Sequence, residues 1–323
     1  MRAAQVVRLD GPDGVEVREI GEPVAGPDEV VVDVHAAGLA FPDLLLSQGR
    51  YQLRPNPPFT LGIDFAGIVR SAPEGFGFAA GDRVSGWDRI GAAAETIAVS
   101  ATHVFSLPDS VGFAVGACLP MNYLTAHFAL ITRGGLQPGE TVLVNGAAGG
   151  VGSAAVQVAA AYGAHVIAVA STPEKRAAAS TAGAHETLAA GRIREATRAL
   201  TDGRGIDVVV DVVGGTDFAT DVLGALAPAG RLLVVGFAGG EIGTVKLNRL
   251  LLTNTDVRGV AWGPWTRLHP RFSREQWDQL SPRFADGRLA PRVDAVRPLD
   301  QVREALADLA ARRTLGKTVV SLR

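Results

Sequence analysis

A glycine-rich turn, TVLVNGAAGGVG at residues 141–152, joins an apolar segment to an alanine-rich one. The β-branched run before the turn predicts a buried parallel strand, and SAAVQVAAAYGA after it predicts a helix. Such a turn forms a phosphate cradle, because the helix N-terminus offers free N–H groups and glycines let the backbone approach a pyrophosphate. Read as Ala147-x-Gly149-x-x-Gly152, it is a dinucleotide fingerprint whose first glycine is alanine. The residues predicted to bind a cofactor here are Gly146, Ala147, Ala148, Gly149, Gly150, Val151 and Gly152. The alternative is an ordinary strand-turn-helix that binds no ligand.

The end of the next predicted strand indicates which nicotinamide cofactor this turn binds. Sites that prefer NAD place an acid there for the ribose hydroxyls, whereas this chain reads Ala170-Ser171-Thr172 and then PEKR. Ser171, Lys175 and Arg176 therefore favour NADPH, whose 2′-phosphate gains charge-assisted hydrogen bonds from cations. The alternative is that both cations are solvated residues of a first helical turn that also contains an acid, Glu174.

The elements that position these residues alternate regularly between strand and helix. Six strands are predicted from residue 141 to residue 261, which favours an α/β fold with a doubly wound, six-stranded parallel sheet. Residues 1–120 are rich in strands and turns and predict a barrel-like sheet. We therefore expect a cofactor domain at 121–266 and a second domain at 1–120 and 267–323, with residue 288 as an alternative for the later boundary.

Composition restricts the function further. The 323 residues are 47% hydrophobic, carry a formal net charge of −2 and contain one cysteine, Cys118. This predicts a folded protein without an internal disulfide, and with no general affinity for nucleic acid or acidic membranes. The N-terminal MRAAQVVRLDGPDGVEV lacks a signal-peptide core, and no apolar run is long enough to span a membrane, so a cytoplasmic location is expected.

Several longer motifs together carry a family resemblance. They are PDLLLSQGRY, PPFTLGIDFAGIV, LPMNYLTAHFAL, LQPGETVLVNGAAGGVG, GRLLVVGFAGG, LNRLLLTNTDVRGVAWG and LGKTVV. With them the whole chain resembles the medium-chain dehydrogenase/reductase superfamily, most closely its zinc-independent quinone oxidoreductase branch, which includes zeta-crystallin. The resemblance implies a GroES-like β-barrel-type catalytic domain, a Rossmann domain that binds NADPH, and a homodimer or homotetramer.

The resemblance also implies roles for particular residues. Tyr51 matches a pocket tyrosine that could donate to the acceptor oxygen, and Asp43 is a second catalytic candidate. Packing of a loop aromatic and a structural hold on the turn are their respective alternatives. The implied substrate pocket contains Phe41, Leu45, Tyr51 and Trp262, and for Trp262 the alternative is a place in the core. Further implied cofactor contacts are Pro42, Asn122, Thr125, Gly236, Phe237, Ala238 and Lys317.

Metal ligands are missing where zinc-dependent relatives have them. Ala40 stands in place of a cysteine and Ile63 in place of a histidine, so no metal site is expected. The family often has asparagine at Ala40, a second tyrosine at Leu45 and a tyrosine near Ala190, so this pocket is more apolar and the 2′-phosphate site differs in detail.

Without a Lewis acid, the acceptor must be electron-poor. The expected function is therefore direct hydride transfer from NADPH to a quinone or an α,β-unsaturated carbonyl, with the proton from water or Tyr51. One alternative is an enoyl reductase acting on thioesters of polyketide or fatty-acid type. An alternative of another class is a non-catalytic, crystallin-like protein that binds or senses NADPH; RNA binding is disfavoured by the acidic pI and the lack of interleaved aromatic and basic residues.

Overall fold

The computed structural model describes all residues, Met1–Arg323, and divides into two units. The first unit contains Met1–Met121 and His269–Arg323, and the second contains Asn122–Leu268. The predicted boundaries at 120 and 267 differ from these by one and two residues.

The N-terminal part of the first unit is dominated by strands. They are β1 (Arg2–Val6), β2 (Val15–Glu19), β3 (Glu29–Leu39), β4 (Phe59–Thr60), β5 (Asp64–Ser71), β6 (Arg83–Trp87), β7 (Thr96–Ser100) and β8 (Val104–Ser106). Two short helices, α1 (Phe41–Ser47) and α2 (Phe113–Gly116), and two 3₁₀ turns, Gly11–Gly14 and Ala101–His103, lie between or after them.

The second unit alternates strands and helices. Its strands are β9 (Thr141–Asn145), β10 (His165–Val169), β11 (Glu186–Leu188), β12 (Ile206–Asp211), β13 (Leu226–Val234) and β14 (Asp256–Gly259). Its helices are α3 (Thr125–His127), α4 (Gly150–Ala161), α5 (Pro173–Thr181), α6 (Ile193–Leu200), α7 (Thr216–Leu223), α8 (Asn248–Thr253) and α9 (Trp262–Leu268). The segments Pro120–Leu124 and Phe128–Arg133, on either side of α3, are π-helical.

The six strands β9–β14 form one sheet in the order β11-β10-β9-β12-β13-β14, and all pairs are parallel. This confirms the predicted doubly wound sheet. The chain moves outward in one direction from β9 to β11 and in the other direction from β12 to β14. The strand order therefore reverses between β9 and β12, and ligands of such sheets bind at the carboxyl ends of the strands there.

The C-terminal segment returns to the first unit. It contains α10 (Phe272–Ala285), β15 (Val293–Pro298), the 3₁₀ turn Leu299–Gln301, α11 (Val302–Ala310) and β16 (Lys317–Ser321). Strand β16 pairs with β3 in a seven-stranded sheet of order β15-β16-β3-β5-β6-β8, with β7 on β3. A second sheet has the order β2-β1-β4. Val302 and Leu306 of α11 belong to the same buried cluster as Val32 of β3, so the last elements complete the first core.

The amino-terminal edge of the parallel sheet is closed by ion pairs. The Arg231 guanidinium is buried and makes two hydrogen bonds of 2.6 and 2.7 Å to the carboxylate of Glu140, and a third of 2.6 Å to the Gly134 carbonyl. Asp207 binds the guanidinium of Arg204 and accepts from the Thr141 N–H at 2.7 Å. These groups fix the edge opposite to the expected ligand site.

Strand β13 begins closer to α7 than the local sequence indicates. Helix α7 ends at Leu223, and β13 already begins at Leu226. Pro228 and Gly230 are typical of turns, but here they lie within the strand, at an irregularity where the pairing of β12 with β13 shifts register and Ala229 has a φ of +61°.

No helix of the structure combines the length and the apolar character that crossing a bilayer requires.

Candidate functional site

The glycine turn lies at the carboxyl end of β9. Gly146 follows the strand with a φ of +79°, and the N–H groups of Gly146 and Ala147 donate to the Val169 carbonyl at the end of β10. Gly149 is the extended N-cap of α4, a helix of 12 residues. The first N–H groups of α4 therefore point away from the helix at the place where the strand order reverses, which is the arrangement that binds phosphate.

Glycine is required at different positions of this turn for different steric reasons. A Cβ on Gly152 would lie 2.1 Å from the Gly146 carbonyl oxygen, so Gly152 lets the helix close on its strand. A Cβ on Gly146 would lie 2.6 Å from a Val212 methyl, and one on Gly150 would lie 2.8 Å from the Asn122 amide. A Cβ on Gly149 would approach only one atom, at 3.6 Å, so no packing inside the protein requires glycine there.

The carboxyl end of β10 carries cations instead of an acid. Thr172 caps α5 by accepting from the Lys175 N–H at 3.3 Å, and Ser171 is exposed beside it. The Arg176 guanidinium turns back to the strand end and contacts the Ala170 carbonyl at 3.4 Å. Glu174 accepts from its own N–H and from the Thr172 hydroxyl, which lowers the pKa of its carboxyl.

The loop after β13 lies at the same edge of the sheet. The Gly236 and Ala238 N–H groups donate to the carbonyls of Asp211 and Val212 at 3.3 and 3.1 Å, and the Phe237 ring is exposed. Asn122 is buried against Gly150, and Thr125 is buried at the start of α3. The second unit thus brings the predicted cofactor residues of the turn, of α5 and of this loop to one edge.

These residues fit a dinucleotide with a 2′-phosphate. Helix N–H groups without a side chain in front of them suit a pyrophosphate, because no Cβ at Gly149 blocks the approach. The guanidinium of Arg176 suits a phosphate dianion, and no carboxylate of the Ala170–Thr172 segment repels one.

Candidate acceptor residues lie on α1 and the following loop of the first unit. The Asp43 carboxylate is fully buried and accepts from the N–H groups of Ala40 at 2.8 Å and Gly62 at 3.0 Å. Burial raises the pKa of Asp43 to about 6, although these two donors and the Lys317 charge oppose the shift. Both oxygens are engaged by the backbone, which supports the structural alternative for Asp43.

The Tyr51 ring is half-buried and packs against the first core. Burial and the charge of Asp43 raise the pKa of its phenol, so Tyr51 keeps its proton at neutral pH. Phe41, Pro42 and Leu45 are also half-buried. The only charged residue of their helix is Asp43, which is buried. Trp262 belongs to the other unit, where it is buried at the start of α9.

Lys317 makes an ion pair with Asp64 inside the first unit. Both side chains are buried, and the second oxygen of Asp64 accepts from the Met121 N–H at 2.9 Å. Burial raises the pKa of Asp64, which the Lys317 ammonium opposes. The ammonium of Lys317 is therefore engaged by Asp64. A contact between Lys317 and a cofactor stays a prediction.

Sequence reasoning missed three polar residues of these sites. Asp64 begins β5, Asn145 ends β9 and Asp211 ends β12, and all three are buried. A signal was available, since each is a polar residue at the end of an apolar strand, where a buried acid or amide needs a specific partner.

The residues at the zinc positions do not fit a zinc ion. Ala40 and Ile63 are apolar and buried. The thiol of Cys118 donates to the Ala114 carbonyl, and burial raises its pKa to about 12, which disfavours the thiolate that metals bind. No three His, Cys, Asp or Glu side chains lie together as a ligand set.

Known proteins match this chain in sequence along its whole length. The alcohol dehydrogenase GroES-like domain family matches residues 26–109, and the zinc-binding dehydrogenase family matches residues 150–285. The chain is 38% identical to the bovine (Bos taurus) quinone oxidoreductase-like protein 2, over all of this chain and 93% of that one.

Two solved structures show the same fold. A probable oxidoreductase from Mycobacterium abscessus is 42% identical with a TM-score of 0.91, covering 99% of this chain and 98% of that one. The quinone oxidoreductase from Thermus thermophilus, also solved in complex with NADPH, is 36% identical with a TM-score of 0.87, and each chain is covered completely. The two-unit fold, the glycine turn and these matches confirm the predicted family: the chain belongs to the medium-chain dehydrogenase/reductase superfamily.

Proposed function

We propose that the protein is a zinc-independent, NADPH-dependent oxidoreductase that transfers hydride to a quinone or an α,β-unsaturated carbonyl. The observation that carries the cofactor part is the turn at Gly149, where a Cβ would meet only the Gly146 carbonyl oxygen, at 3.6 Å, at the same edge of the sheet as the cations of α5. The acceptor part is supported by the half-buried apolar residues Phe41 and Leu45 of α1, by the protonated phenol of Tyr51 and by the apolar residues at the zinc positions.

NADPH supplies the hydride when it is bound. The N–H groups at the start of α4 would orient the pyrophosphate, and Lys175 with Arg176 would hold the 2′-phosphate. Phe41 and Leu45 would exclude water from the acceptor. The Tyr51 phenol would donate a hydrogen bond to the acceptor oxygen, where negative charge would develop during the reduction. One proton, from water or from Tyr51, would complete the two-electron reduction.

Two other functions are alternatives to this proposal. An enoyl reductase would use the same cofactor site but would require an acceptor activated by a thioester. A non-catalytic NADPH-binding or sensor protein would bind the cofactor and would not oxidise it, whichever acceptor is added. A cytoplasmic location likewise stays a prediction.

The acceptor class is tested by mixing the protein with NADPH and a panel of quinones, enones and enoyl thioesters. We expect NADPH oxidation with quinones or enones, and a roughly 10²-fold slower turnover in Tyr51→Phe with unchanged NADPH affinity, because one donor to the developing oxyanion is lost. The matched control is Tyr162→Phe, whose hydroxyl contacts His127 in the second unit. Turnover only with thioesters would favour the enoyl reductase, and no oxidation at all would leave only the sensor.

Cofactor preference is tested in the first turn of α5. We expect NADPH to bind more tightly than NADH, and Lys175→Ala or Arg176→Ala to reduce that preference about tenfold, since a charge-assisted hydrogen bond contributes roughly 1.5–3 kcal/mol. Arg198→Ala, an exposed cation of α6, should leave the preference unchanged. Dissociation constants from fluorescence titration decide this, and equal affinities of the wild-type protein for both cofactors would contradict the NADPH assignment.

The glycine turn offers a matched pair of variants. Gly149→Ala should keep the melting temperature, because its Cβ has room, yet weaken NADPH binding about tenfold, or roughly 1.4 kcal/mol, by placing a methyl group before the helix N–H groups. Gly152→Ala should lower the free energy of unfolding by about 1–3 kcal/mol, because its Cβ would collide with the Gly146 carbonyl. Unchanged NADPH affinity in Gly149→Ala would mean that the phosphates bind elsewhere.

One surface of the second unit, formed by β14 and α8, supports the homodimer that the family implies, or a tetramer built from it. Strand β14 is the edge of the sheet and pairs on one side only, with β13. Beside it, Leu251 and Leu252 of α8 are 77% and 78% exposed. Asp256 and Arg258 lie two residues apart on β14, so antiparallel pairing with a second copy about Val257 places each charge opposite its complement.

Light scattering after size-exclusion chromatography tests this surface. We expect twice or four times the chain mass of 33.5 kDa for the wild-type protein, and a lower mass for Leu251→Glu, because a buried unpaired charge opposes association. Val24→Glu, at a 93% exposed position of the first unit, is the control that should not change the mass. A monomeric wild-type protein at micromolar concentration contradicts the proposal.

A further inference from the structure

A buried acid lies where the strand order of the parallel sheet reverses. Asp211 is the last residue of β12, is 3% exposed and pairs in register with Asn145, the last residue of the neighbouring β9. The residues before it, Val208–Val210, are fully buried and apolar. A carboxylate at such a position is unfavourable unless hydrogen bonds compensate its burial, so its partners indicate its role.

One oxygen of Asp211 collects three donors from the two strand ends. Its Oδ1 accepts from Asn145 Nδ2 at 2.9 Å, from the Val213 N–H at 3.0 Å and from the Gly214 N–H at 3.0 Å. Asn145 leads directly into the glycine turn, whereas Val213 and Gly214 belong to the loop after β12. The carboxylate therefore joins the turn to that loop.

The same hydrogen bonds fix a third segment through the geometry of the peptide bond. In a trans peptide, the N–H and the preceding C=O point in opposite directions. Because the Val213 and Gly214 N–H groups point to Asp211, the carbonyls of Val212 and Val213 point away from it, and they accept from the N–H groups of Ala238 at 3.1 Å and Gly239 at 2.7 Å. Asp211 thus orients the loop after β13 without touching it through its side chain.

The loop after β12 also packs on the glycine turn. Methyl groups of Val212 and Val213 lie 2.6 and 2.8 Å from the Cβ position of Gly146, so the two segments contact one another closely through a residue without Cβ. The glycine turn and residues 236–238 both belong to the proposed cofactor site, and Asp211 links them through the loop after β12.

We propose that Asp211 is a positioning residue for the dinucleotide: its carboxylate aligns the glycine turn, residues 212–214 and residues 236–239, so that the free N–H groups of α4 are held in register with the rest of the cofactor edge. This inference rests on the proposed NADPH site. Asp211 acts through the backbone and does not itself contact the cofactor.

The test compares Asp211→Ala with Asp211→Asn, and uses the other acid of the same strand as a control. The asparagine retains an oxygen that accepts the three hydrogen bonds, whereas alanine removes it. Asp207 lies at the opposite end of β12 and binds Arg204 and Thr141, away from the cofactor edge. NADPH dissociation constants and melting temperatures are measured for each variant by titration and thermal unfolding.

We expect Asp211→Ala to raise the NADPH dissociation constant about tenfold or more, as the loss of a residue that orients a binding group commonly does, with Asp211→Asn within about threefold of wild type. Asp207→Ala should lower the melting temperature and leave the dissociation constant unchanged. If Asp211→Ala does not fold, Asn145→Ala, which removes one of the three donors, should still raise the dissociation constant about threefold.

Wild-type affinity in a folded Asp211→Ala, or in Asn145→Ala when the former does not fold, overturns the proposal. An equal loss of affinity in Asp207→Ala and Asp211→Ala also overturns it, because the effect would then come from general destabilisation. Failure of the cofactor proposal looks different, since the wild-type protein itself would not bind NADPH.

Discussion

The proposed cofactor site depends on one constraint: the start of α4 must pack closely on the end of β9 and still leave room for an anion beside its backbone N–H groups. Gly152 satisfies the constraint from behind, because only a residue without Cβ lets the helix rest against the Gly146 carbonyl. Gly149 satisfies it from the front, where a side chain would meet little of the protein itself. Since packing does not require glycine at position 149, the approach of a large anion is the better explanation for it.

The two edges of the parallel sheet use polar groups for opposite purposes. At the amino-terminal edge, Arg231 and Glu140 satisfy each other and the nearby carbonyls, so that edge is closed. At the carboxyl edge, Asp211 accepts hydrogen bonds from Asn145 and from the loop after β12, and a Cβ on Gly149 would meet only one atom of the protein within 4 Å. The amino-terminal edge is therefore closed by its own ion pairs, whereas the proposed cofactor site lies at the carboxyl edge, where ligands of such sheets bind.

Much of this arrangement could be predicted from the sequence. The six parallel strands, the turn and the cations of α5 follow from local patterns of apolar residues, glycine and charge, which act within about 20 residues. Asp211 and Asp64 could not be assigned, because their partners Asn145 and Lys317 are distant in sequence and only the folded sheets bring them together. The early start of β13 is not evident from the sequence, because Pro228 and Gly230 are typical of turns but here lie within the strand, at a shift of register.

A crystal structure of the protein with NADPH tests the proposed cofactor site most directly. We predict that the pyrophosphate oxygens accept hydrogen bonds from the N–H groups at the start of α4, with the 2′-phosphate within hydrogen-bond distance of Lys175 or Arg176. A cofactor whose phosphates lie away from residues 149–152 would contradict this site, even if the protein bound NADPH tightly.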